Sequence, residues 1–240
     1  MPDAEFEKAR RRLASAASVA VLTGAGISAE SGIPTFRGAG GLWKNFRPEE
    51  LATPEAFARN PRLVWEWYDW RRQAIAKAGP NPAHRGLVQL EQAKPRFTLI
   101  TQNVDGLHDA AGSRRILKLH GDIWHLRCTA CGADWIDRRA PLDTIPPLCA
   151  CGAQARPGVV WFGEMLPPGI LDEAQRAAAA AQVFLVIGTS ALVYPAAALA
   201  PYARRSGATV IEINLEPTPF SDIVDFAFHG KAGDLLPKLV

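Results

Sequence analysis

The chain has 240 residues, of which 48% are hydrophobic, and it carries a formal net charge of +3. Such a chain can bury a substantial core as one large globular domain, or as a domain with a sizeable insertion. The Lys and Arg residues are scattered, which argues against a nucleic-acid-binding protein, and no apolar run approaches the roughly 18 residues of a membrane span.

The first predicted element is an amphipathic helix over residues 4–17. Arg10, Arg11 and Arg12, followed by the letters LASAASVAVL, also resemble a secretory signal peptide. Serines interrupt the apolar part, acidic residues precede the arginines, and cleavage would remove the strand that follows. The helix is therefore the favoured interpretation.

A buried strand over residues 19–22 leads into a glycine-rich turn. A short apolar run closed by glycine is typical of a parallel-sheet strand. Gly24, Gly26 and Ala29 then fit the G-x-G-x-x-G/A spacing. In that pattern the first glycine makes the turn, the second lets backbone approach a pyrophosphate, and the small third residue lets a helix pack on the strand. On its own, this spacing does not separate a phosphate site from an ordinary turn.

The segment after this turn departs from an ordinary dinucleotide-binding unit. Such a unit continues as a helix, a second strand and an acidic residue about 20 positions on. Residues 32–43 are instead a glycine-rich segment that cannot form a strand. We interpret it as a loop that covers a ligand.

The next segment is predicted to be helical. Pro48 and Pro54 open short helices, and Pro61 opens a longer one that runs to residue 78. Tyr68 and Arg71 lie three residues apart on the longer helix, so they share a face. The same pattern would also arise if Tyr68 were a core residue and Arg71 a surface residue in contact with solvent.

Polar residues follow the next predicted strand, residues 97–101, which comes after a predicted helix over residues 84–92. Gln102, Asn103 and Asp105 lie just beyond its carboxyl end. Open parallel sheets bind ligands at that edge, although Asn and Asp are also common turn formers.

His120 ends a short strand predicted over residues 116–119 and precedes a glycine. Its ordinary pKa range suits proton transfer at neutral pH, and the glycine permits close approach. The other four histidines are interpreted as packed or exposed bystanders.

All four cysteines lie in one short window. Cys128 and Cys131 form a C-x-x-C pair, and Cys149 and Cys151 form a tighter C-x-C pair. This spacing predicts one zinc ion in a small ribbon, and because four thiolates close the coordination sphere the ion would be structural. The thiolates must stay reduced, which favours a cytoplasmic location.

The last third of the chain alternates helices and strands. The predictions are a β-rich run over 159–163, a helix over 169–182, strands over 183–187 and 208–213, and a final turn over 230–233. Asn214 and Glu216 close the last strand, and Glu216 supplies the acidic residue for an adenosine ribose that the first unit lacks.

Taken together, these motifs resemble the sirtuin family of NAD-dependent protein deacylases, of the bacterial, class III type. The family signature GAGxSxxSGIPxFR matches residues 24–37. The further matches are TQNVDGLH (101–108), LHG (119–121), VVWFGE (159–164), GTS (188–190) and INLE (213–216). The resemblance covers nearly the whole chain, in order.

The resemblance implies an α/β fold: a Rossmann-like parallel sheet with helices on both faces, plus a smaller domain made of a helical insertion and a zinc ribbon. The expected NAD-binding domain comprises residues 1–37, 80–122 and 158–240. The helical insertion (38–79) and the zinc-binding module (123–157) together form the small domain.

The resemblance also implies that NAD is the co-substrate and which residues hold it. The expected cofactor-binding residues are Gly24, Ala25, Gly26, Ser28, Glu30, Thr35, Phe36, Arg37, Trp43, Gln102, Asn103, Asp105, Gly188, Thr189, Ser190, Asn214, Leu215, Glu216 and Ala232. Phe36 and Arg37 would steady the phosphates and screen the reactive ribose from water.

The implied reaction moves an acyl group from a protein lysine to NAD, with loss of nicotinamide. Asn103 and Asp105 would hold the ribose and amide, and His120 would deprotonate a ribose hydroxyl. The residues expected to bind substrate are Tyr68, Arg71, Val160, Trp161, Phe162, Gly163 and Glu164.

A Tyr-x-x-Arg pair is found in the sirtuins that remove acidic acyl groups, because a guanidinium beside a phenol can clamp a distal carboxylate. This points to a succinyl or malonyl substrate through Tyr68 and Arg71, with simple deacetylation as the other possibility. Arg72 is the rival arginine, about 100° further round the helix.

Other functions remain open. The chain could be a protein mono-ADP-ribosyltransferase that uses the same site, or a non-catalytic NAD-sensing binding module; a dehydrogenase fits least. The expected partners are acyl-lysine proteins, with no membrane or nucleic-acid partner, and the expected state is a monomer.

Overall fold

The structure is a computed structural model, and it describes residues 4–36, 41–42 and 47–240. Its strands are β1 (Ser18–Thr23), β2 (Arg96–Thr101), β3 (Ile116–Lys118), β4 (Gly121–Cys128), β5 (Asp134–Ile136), β6 (Ala155–Val159), β7 (Val183–Ile187), β8 (Thr209–Asn214) and β9 (Phe226–His229). Its α-helices are α1 (Ala4–Ser15), α2 (Pro48–Leu51), α3 (Pro54–Arg59), α4 (Pro61–Ala76), α5 (Pro82–Ala93), α6 (Leu107–Ala111), α7 (Ile170–Ala180), α8 (Leu199–Arg205) and α9 (Ala232–Leu239).

The main sheet has six parallel strands in the order β3-β2-β1-β7-β8-β9. β1 lies in its centre, paired with β2 on one side and β7 on the other. The chain order reverses at this point, and open α/β sheets bind ligands at the carboxyl ends of such strands. The fold therefore brings the residues after β1, β2 and β7 to one edge.

Alternate residues of the central strands point to opposite faces of the sheet. Val19 and Val21 pack in a core with α1, α5 and α9, whereas Ala20 and Leu22 pack in a second core with α7 and α8. Every residue of β1 is buried, as expected for a strand covered on both faces. The prediction of an α/β fold with helices on both faces is confirmed.

A smaller antiparallel sheet, in the order β5-β4-β6, forms the second unit. It shares a core with α2, α3 and α4, in which Trp65, Leu126 and Trp161 are buried. The Trp65 indole N–H donates to the Ala155 carbonyl at 2.7 Å, which ties α4 to β6. The helical insertion and the cysteine module thus pack as one body, while the exact domain boundaries stay a prediction.

Several predicted elements need correction. The run over 159–163 is not a strand: the strand is β6, which ends at Val159, and the next residues turn away from the sheet. The residues after the first glycine turn form a 3₁₀ helix, Ala25–Ser31, rather than an α-helix. The predicted final turn over 230–233 contains the start of α9.

Several elements escaped prediction, among them α6, β9 and α8. β9 follows a loop and covers the edge of β8, and α8 follows a short 3₁₀ turn, Ala196–Ala198. Among the described residues, no helix has the length and apolar character required to cross a bilayer.

Candidate functional site

A cavity of about 1220 Å³ opens between the carboxyl edge of the main sheet and the smaller unit. Predicted site residues from distant parts of the chain line it: Gly24, Ala25, Gly26, Glu30, Thr35, Phe36, Tyr68, Arg71, Gln102, Asn103, His120, Val160, Trp161, Phe162, Gly163, Glu164, Gly188, Thr189, Ser190, Asn214, Leu215, Glu216 and Ala232. Arg37 and Trp43 lie outside the described residues. The fold thus gathers separate motifs at one ligand-sized cavity.

The turns after β1 and β7 form the floor of the cavity and pack directly on each other. The Gly26 N–H donates to the Gly188 carbonyl at 2.7 Å. A Cβ added to Gly26 would lie 2.7 Å from that carbonyl oxygen, and Gly188 itself has φ +60°. Glycine is therefore required here so that the two turns can meet, a role that the spacing argument did not include.

The explanation given for Ala29 is wrong. We expected this small residue to pack the helix against the strand, but Ala29 is exposed and lines the cavity, whereas Ile27 and Ser28 are buried. The reason is the tighter winding of a 3₁₀ helix, which turns a different face to the sheet than an α-helix does.

Three side chains bond to one another at what we call the polar end of the cavity, which comprises Ser28, Asn103, Asp105 and His120. Asn103 and His120 line the cavity, whereas Ser28 and Asp105, both predicted to bind the cofactor, do not line it and are buried behind Asn103. The Ser28 hydroxyl donates to Asp105 Oδ2 at 2.8 Å and accepts from Asn103 Nδ2 at 3.2 Å. The second oxygen of Asp105 accepts from the Leu107 backbone N–H at 2.8 Å. These bonds fix the orientation of all three side chains.

Burial raises the pKa of the Asp105 carboxyl, while its bonds to the Leu107 N–H and the Ser28 hydroxyl and the nearby Arg71 charge act in the opposite direction. Asn103 and Asp105 are 8% and 6% exposed, so little water reaches them. A ligand at this end would meet a preorganised set of polar groups instead of solvent.

His120 contributes a base with a fixed tautomer. Its Nδ1 lies 3.1 Å from the Gln102 carbonyl oxygen, and because a carbonyl only accepts, Nδ1 carries the proton. Nε2, which is then unprotonated, has no hydrogen-bond partner among the described residues, and the ring lines the cavity. Burial lowers the pKa of His120, which the bond to Gln102 partly offsets, so the imidazole is neutral near pH 7.

Two strand-end threonines and two histidines support the polar end from beneath, and the sequence analysis missed this role. Thr23 donates to the Thr101 hydroxyl at 2.8 Å and lies 3.0 Å from His108 Nε2. Thr101 in turn accepts from the Asn103 backbone N–H at 3.0 Å. His84 Nε2 is 3.5 Å from the Ser28 hydroxyl. The sequence offered one signal for this role, a threonine as the last residue of a mostly apolar strand.

At what we call the arginine end, a buried guanidinium lies among aromatic rings. The Arg71 guanidinium carbon lies 4.8 Å from the Phe36 ring centre, 4.9 Å from that of Trp67 and 5.8 Å from that of Tyr68. Arg71 is 8% exposed, yet among the described residues no acceptor receives a hydrogen bond from it. Burial lowers its pKa, but from so high a value that the charge persists.

Tyr68 is oriented by a neighbour. Its hydroxyl oxygen accepts from the Trp161 indole N–H at 2.9 Å, so the phenol proton is available to another acceptor. Burial raises the pKa of Tyr68, which keeps the phenol protonated. Arg71 and Tyr68 therefore present donors, and no negative charge, at this end of the cavity.

Arg72, the rival arginine, faces away from the cavity. It is fully buried and donates to the backbone carbonyls of Ile123, Asp137 and Arg139. Its role is to join α4 to the smaller sheet, which leaves Arg71 as the arginine at the cavity.

The segment Val160–Glu164 lines the cavity, but several of its N–H groups are already used. Val160 donates to the His120 carbonyl, Phe162 to the Ala52 carbonyl, and Trp161 to Glu164 Oε2. Glu164 is itself paired with Arg156. The Trp161 carbonyl also accepts from the Glu164 N–H, so an extended peptide could pair only with backbone groups outside these bonds.

A third part of the cavity is formed by the loop after β8, where hydrogen bonds fix the backbone. Asn214 Nδ2 donates to the Glu216 carbonyl at 2.8 Å, and Leu215 is 67% exposed. Glu30 accepts from the Gly233 N–H at 2.8 Å and so caps the first turn of α9. The start of α9, including Ala232, is thereby fixed against the first turn.

The sequence analysis also missed an apolar rim. Met165, Leu192 and Tyr194 line the cavity and are 91%, 55% and 70% exposed. Met165 directly follows the VVWFGE motif, and Leu192 and Tyr194 come shortly after the GTS motif. This closeness to the motifs was the only signal in the sequence.

The four cysteines meet at one point, where their sulfur atoms lie within 4.8 Å of one another. The Cys128–Cys151 and Cys131–Cys149 sulfur pairs are 3.5 and 3.7 Å apart. Tetrahedral zinc with Zn–S bonds of about 2.3 Å requires sulfur atoms about 3.8 Å apart, which these two distances match. The sequence prediction of a four-cysteine zinc ribbon is confirmed.

Comparisons of this chain with family models, curated proteins and solved structures agree with one another. The family model described as the Sir2 family matches residues 24–195. An NAD-dependent protein deacylase of Aquifex aeolicus is 57% identical over 223 residues, which cover 92% of this chain and 93% of the relative.

Solved structures are similar over almost the full length. A Sir2 homologue in complex with NAD superposes with a TM-score of 0.92 at 48% identity, covering 100% of this chain and 93% of its own. A Sir2 variant bound to a deacetylated p53 peptide and 3′-O-acetyl-ADP-ribose superposes with a TM-score of 0.90 at 32% identity, with 98% and 96% coverage.

Proposed function

This chain belongs to the Sir2 family and is an NAD-dependent protein deacylase, for which we propose a reaction on lysine side chains that carry acetyl and acidic acyl groups. The products are nicotinamide, O-acyl-ADP-ribose and the free lysine. The observation that carries this proposal is His120, a neutral imidazole with an unprotonated Nε2 at the cavity, next to a preorganised polar end.

NAD, when bound, supplies the ribose carbon that the acyl oxygen attacks as nicotinamide leaves. Ser28, Asn103 and Asp105 are proposed to orient the nicotinamide ribose and the carboxamide, because their mutual hydrogen bonds fix them in a nearly dry site. His120 Nε2 then accepts the proton of a ribose hydroxyl, while the Gln102 carbonyl holds its Nδ1–H.

The adenosine half of NAD is proposed to lie across the Gly24–Gly26 turn toward Asn214, Leu215 and Glu216. Glu216 is exposed at the cavity, where its carboxylate can accept hydrogen bonds from ribose hydroxyls. Phe36, Arg37 and Trp43 keep their predicted role of covering the cofactor, since they belong to the segment between the first turn and α2.

The finer proposal concerns the acyl group. Arg71 is a buried cation that lacks a hydrogen-bond acceptor among the described residues, and Tyr68 offers a phenol proton beside it. A buried charge without a partner is costly, so a ligand carboxylate would be bound strongly here. Succinyl and malonyl groups place such a carboxylate at the end of the acyl chain, whereas an acetyl group does not.

A single assay tests both levels of the proposal. The protein is incubated with NAD and one peptide in acetylated, succinylated and unmodified form, and nicotinamide, deacylated peptide and O-acyl-ADP-ribose are measured by mass spectrometry. We expect all three products in equal amounts with both acylated peptides, and a higher kcat/KM for the succinylated one.

Other results identify the alternatives. ADP-ribose attached to the peptide, without O-acyl-ADP-ribose, would identify a mono-ADP-ribosyltransferase. Absence of nicotinamide release with any acylated peptide would leave a non-catalytic NAD-binding module. Equal kcat/KM for the acetylated and succinylated peptides would overturn only the acyl preference.

We further propose that the substrates are acyl-lysine proteins, that the enzyme acts as a monomer, and that it works in the cytoplasm, where the four zinc ligands stay reduced. Size-exclusion chromatography with light scattering tests the oligomeric state.

A further inference from the structure

The loop that follows β8 is attached to the sheet by a buried carboxylate. Glu212 lies in β8, in register with Val186 on β7 and Ala227 on β9, and is 1% exposed. Its Oε1 accepts from the Ser221 hydroxyl at 2.5 Å and its Oε2 accepts from the Thr218 hydroxyl at 2.5 Å. One side chain in the sheet therefore holds two points of the loop over residues 214–221.

The directions of these bonds are fixed by the loop backbone. The Ser221 hydroxyl accepts from the Thr218 N–H at 2.8 Å, and the Thr218 hydroxyl accepts from the Phe220 N–H at 3.1 Å. Each hydroxyl can then use its single proton only toward Glu212. The carboxylate, which accepts at both oxygens, is the group that matches two such donors.

The sheet itself does not require Glu212, because an apolar residue would fill the same buried position without the cost of desolvating a carboxylate. Among the described residues the one basic side chain within 4.0 Å of its carboxylate is His229, whose Nε2 lies 4.0 Å from Oε1. The hydrogen bonds that offset the desolvation cost of the Glu212 carboxylate all come from the 214–221 loop. The energy of burying this charge is therefore used to fix the loop.

The same loop forms one wall of the cavity. Asn214, Leu215, Glu216 and Thr218 line it, and Asn214 and Glu216 are joined by the hydrogen bond described above. Because Leu215 and Glu216 are exposed, neither packs against the protein in a way that would fix the loop from their side. Phe220 packs against the core at the far end of the loop, and Glu212 supplies the hydrogen bonds that fix Thr218 and Ser221 behind the wall.

We propose that Glu212 is a positioning residue for the adenosine half of NAD, acting through Thr218 and Ser221 to hold the 214–221 loop against the cofactor. This inference rests on the proposed function, since it assumes that NAD occupies the cavity. Glu212 does not line the cavity itself, so its effect is confined to how the loop is presented.

The test compares the wild type with Glu212→Gln, which keeps the size of the side chain but cannot accept at both ends. The Kd for ADP-ribose is measured by calorimetry, and KM for NAD, KM for the acylated peptide and kcat are measured by nicotinamide release. We expect Kd for ADP-ribose and KM for NAD to rise about tenfold, the loss of one hydrogen bond to a charged group. KM for the peptide and kcat should change less than about twofold.

Asp225→Asn is the matched control. Asp225 accepts from the Val210 N–H at 2.8 Å at the far end of the same β8–β9 connection and does not line the cavity. This variant should melt at a lower temperature but bind ADP-ribose like the wild type, whereas a general weakening of the connection would affect both variants alike. Equal loss of ADP-ribose affinity in both variants would overturn the proposal.

Ser221→Ala keeps the proposal testable if Glu212→Gln does not fold. It should raise the Kd for ADP-ribose in the same direction, and in a folded double variant it should add little to Glu212→Gln. Unchanged affinity in Ser221→Ala and Glu212→Gln would refute the role of Glu212 while leaving the deacylase intact. Failure of the wild type to bind ADP-ribose would refute the proposed function instead.

Discussion

The polar end and the arginine end of the cavity differ in how their polar groups are satisfied. At the polar end, Ser28, Asn103 and Asp105 bond to one another, and His120 is held by a backbone carbonyl. At the arginine end, Arg71 is buried among rings and, within the described part of the chain, has no hydrogen-bond acceptor.

Under the proposed function, this difference assigns catalysis to one end and substrate choice to the other. A set of groups that is complete without a ligand is preorganised for one reaction, whatever acyl group arrives. A buried charge that awaits an acceptor instead favours ligands that bring a carboxylate. The polar end belongs to the main sheet and the arginine end to the smaller unit. Catalysis and acyl selectivity should therefore respond to different substitutions.

The largest effect is expected from the base at the polar end. His120→Ala should lower kcat for the acetylated and succinylated peptides equally, by about a thousandfold, because a general base contributes rate whatever the acyl group is. ADP-ribose affinity, measured by calorimetry, should change little. His125→Ala, which removes a surface histidine paired with Asp134, is the control and should behave like the wild type. A loss confined to one peptide would contradict the separation of the two ends.

Removing the metal should affect mainly the arginine end. The cysteine cluster joins Cys128, the last residue of β4, to Cys149 and Cys151 in the segment that leads into β6. The core of this sheet includes Trp161 and the helix that carries Arg71. Chelation of zinc should lower kcat/KM for both peptides by about a hundredfold, since displacing the wall of a site by about 1 Å can cost that much.

ADP-ribose binding is the control measurement for zinc removal. The main sheet has two cores of its own, so it should keep its structure without the metal. We expect its Kd to stay within about threefold of the value with zinc, and readdition of zinc to restore activity. Loss of ADP-ribose binding in parallel with activity would mean that the two units do not respond separately.

Arg71→Met should change acyl selectivity. Losing a hydrogen bond from a charged group costs about 1.5–3 kcal/mol, which is about a 10- to 100-fold fall in kcat/KM for the succinylated peptide. The acetylated peptide should lose less than about threefold. Arg62→Met, on the exposed side of the same helix, is the control. A variant that slowed both peptides equally would show that Arg71 does not read the acyl group.

The smallest effect concerns acid stability of the polar end. Burial lowers the pKa of His84 to about 4 and that of His108 to about 3. Protons therefore bind first to the unfolded chain, near pH 6.5, and the stability that both neutral rings confer above that pH is lost as the pH falls toward these lowered values.

Between pH 7.5 and 5.5 each buried histidine should reduce the free energy of unfolding by about 1.4 kcal/mol. Urea unfolding of the wild type and of His108→Gln at both pH values measures this, since the variant should lose about half of the combined change. His229→Gln, at a half-exposed histidine, serves as the control. An unchanged pH dependence in His108→Gln would contradict the assignment of a neutral ring at this position.

The sequence by itself determined five of the six strands of the main sheet, the polar residues at their carboxyl ends and the cysteine quartet. These follow from local properties: a short apolar run such as Val183–Ile187, rich in β-branched residues and closed by a glycine, favours a buried strand, and four thiols in one window have few other uses. The family motifs added the expected roles, including that of His120.

Only the tertiary structure decided which atoms act and what supports them. It turned Arg71 to the cavity and Arg72 into the smaller unit, placed the proton of His120 on Nδ1, and set Glu212 beneath a loop. It also replaced the expected helix packing of Ala29 by a 3₁₀ turn that exposes it. Each of these outcomes depends on a partner far away in the chain, and residue spacing carries no information about such contacts.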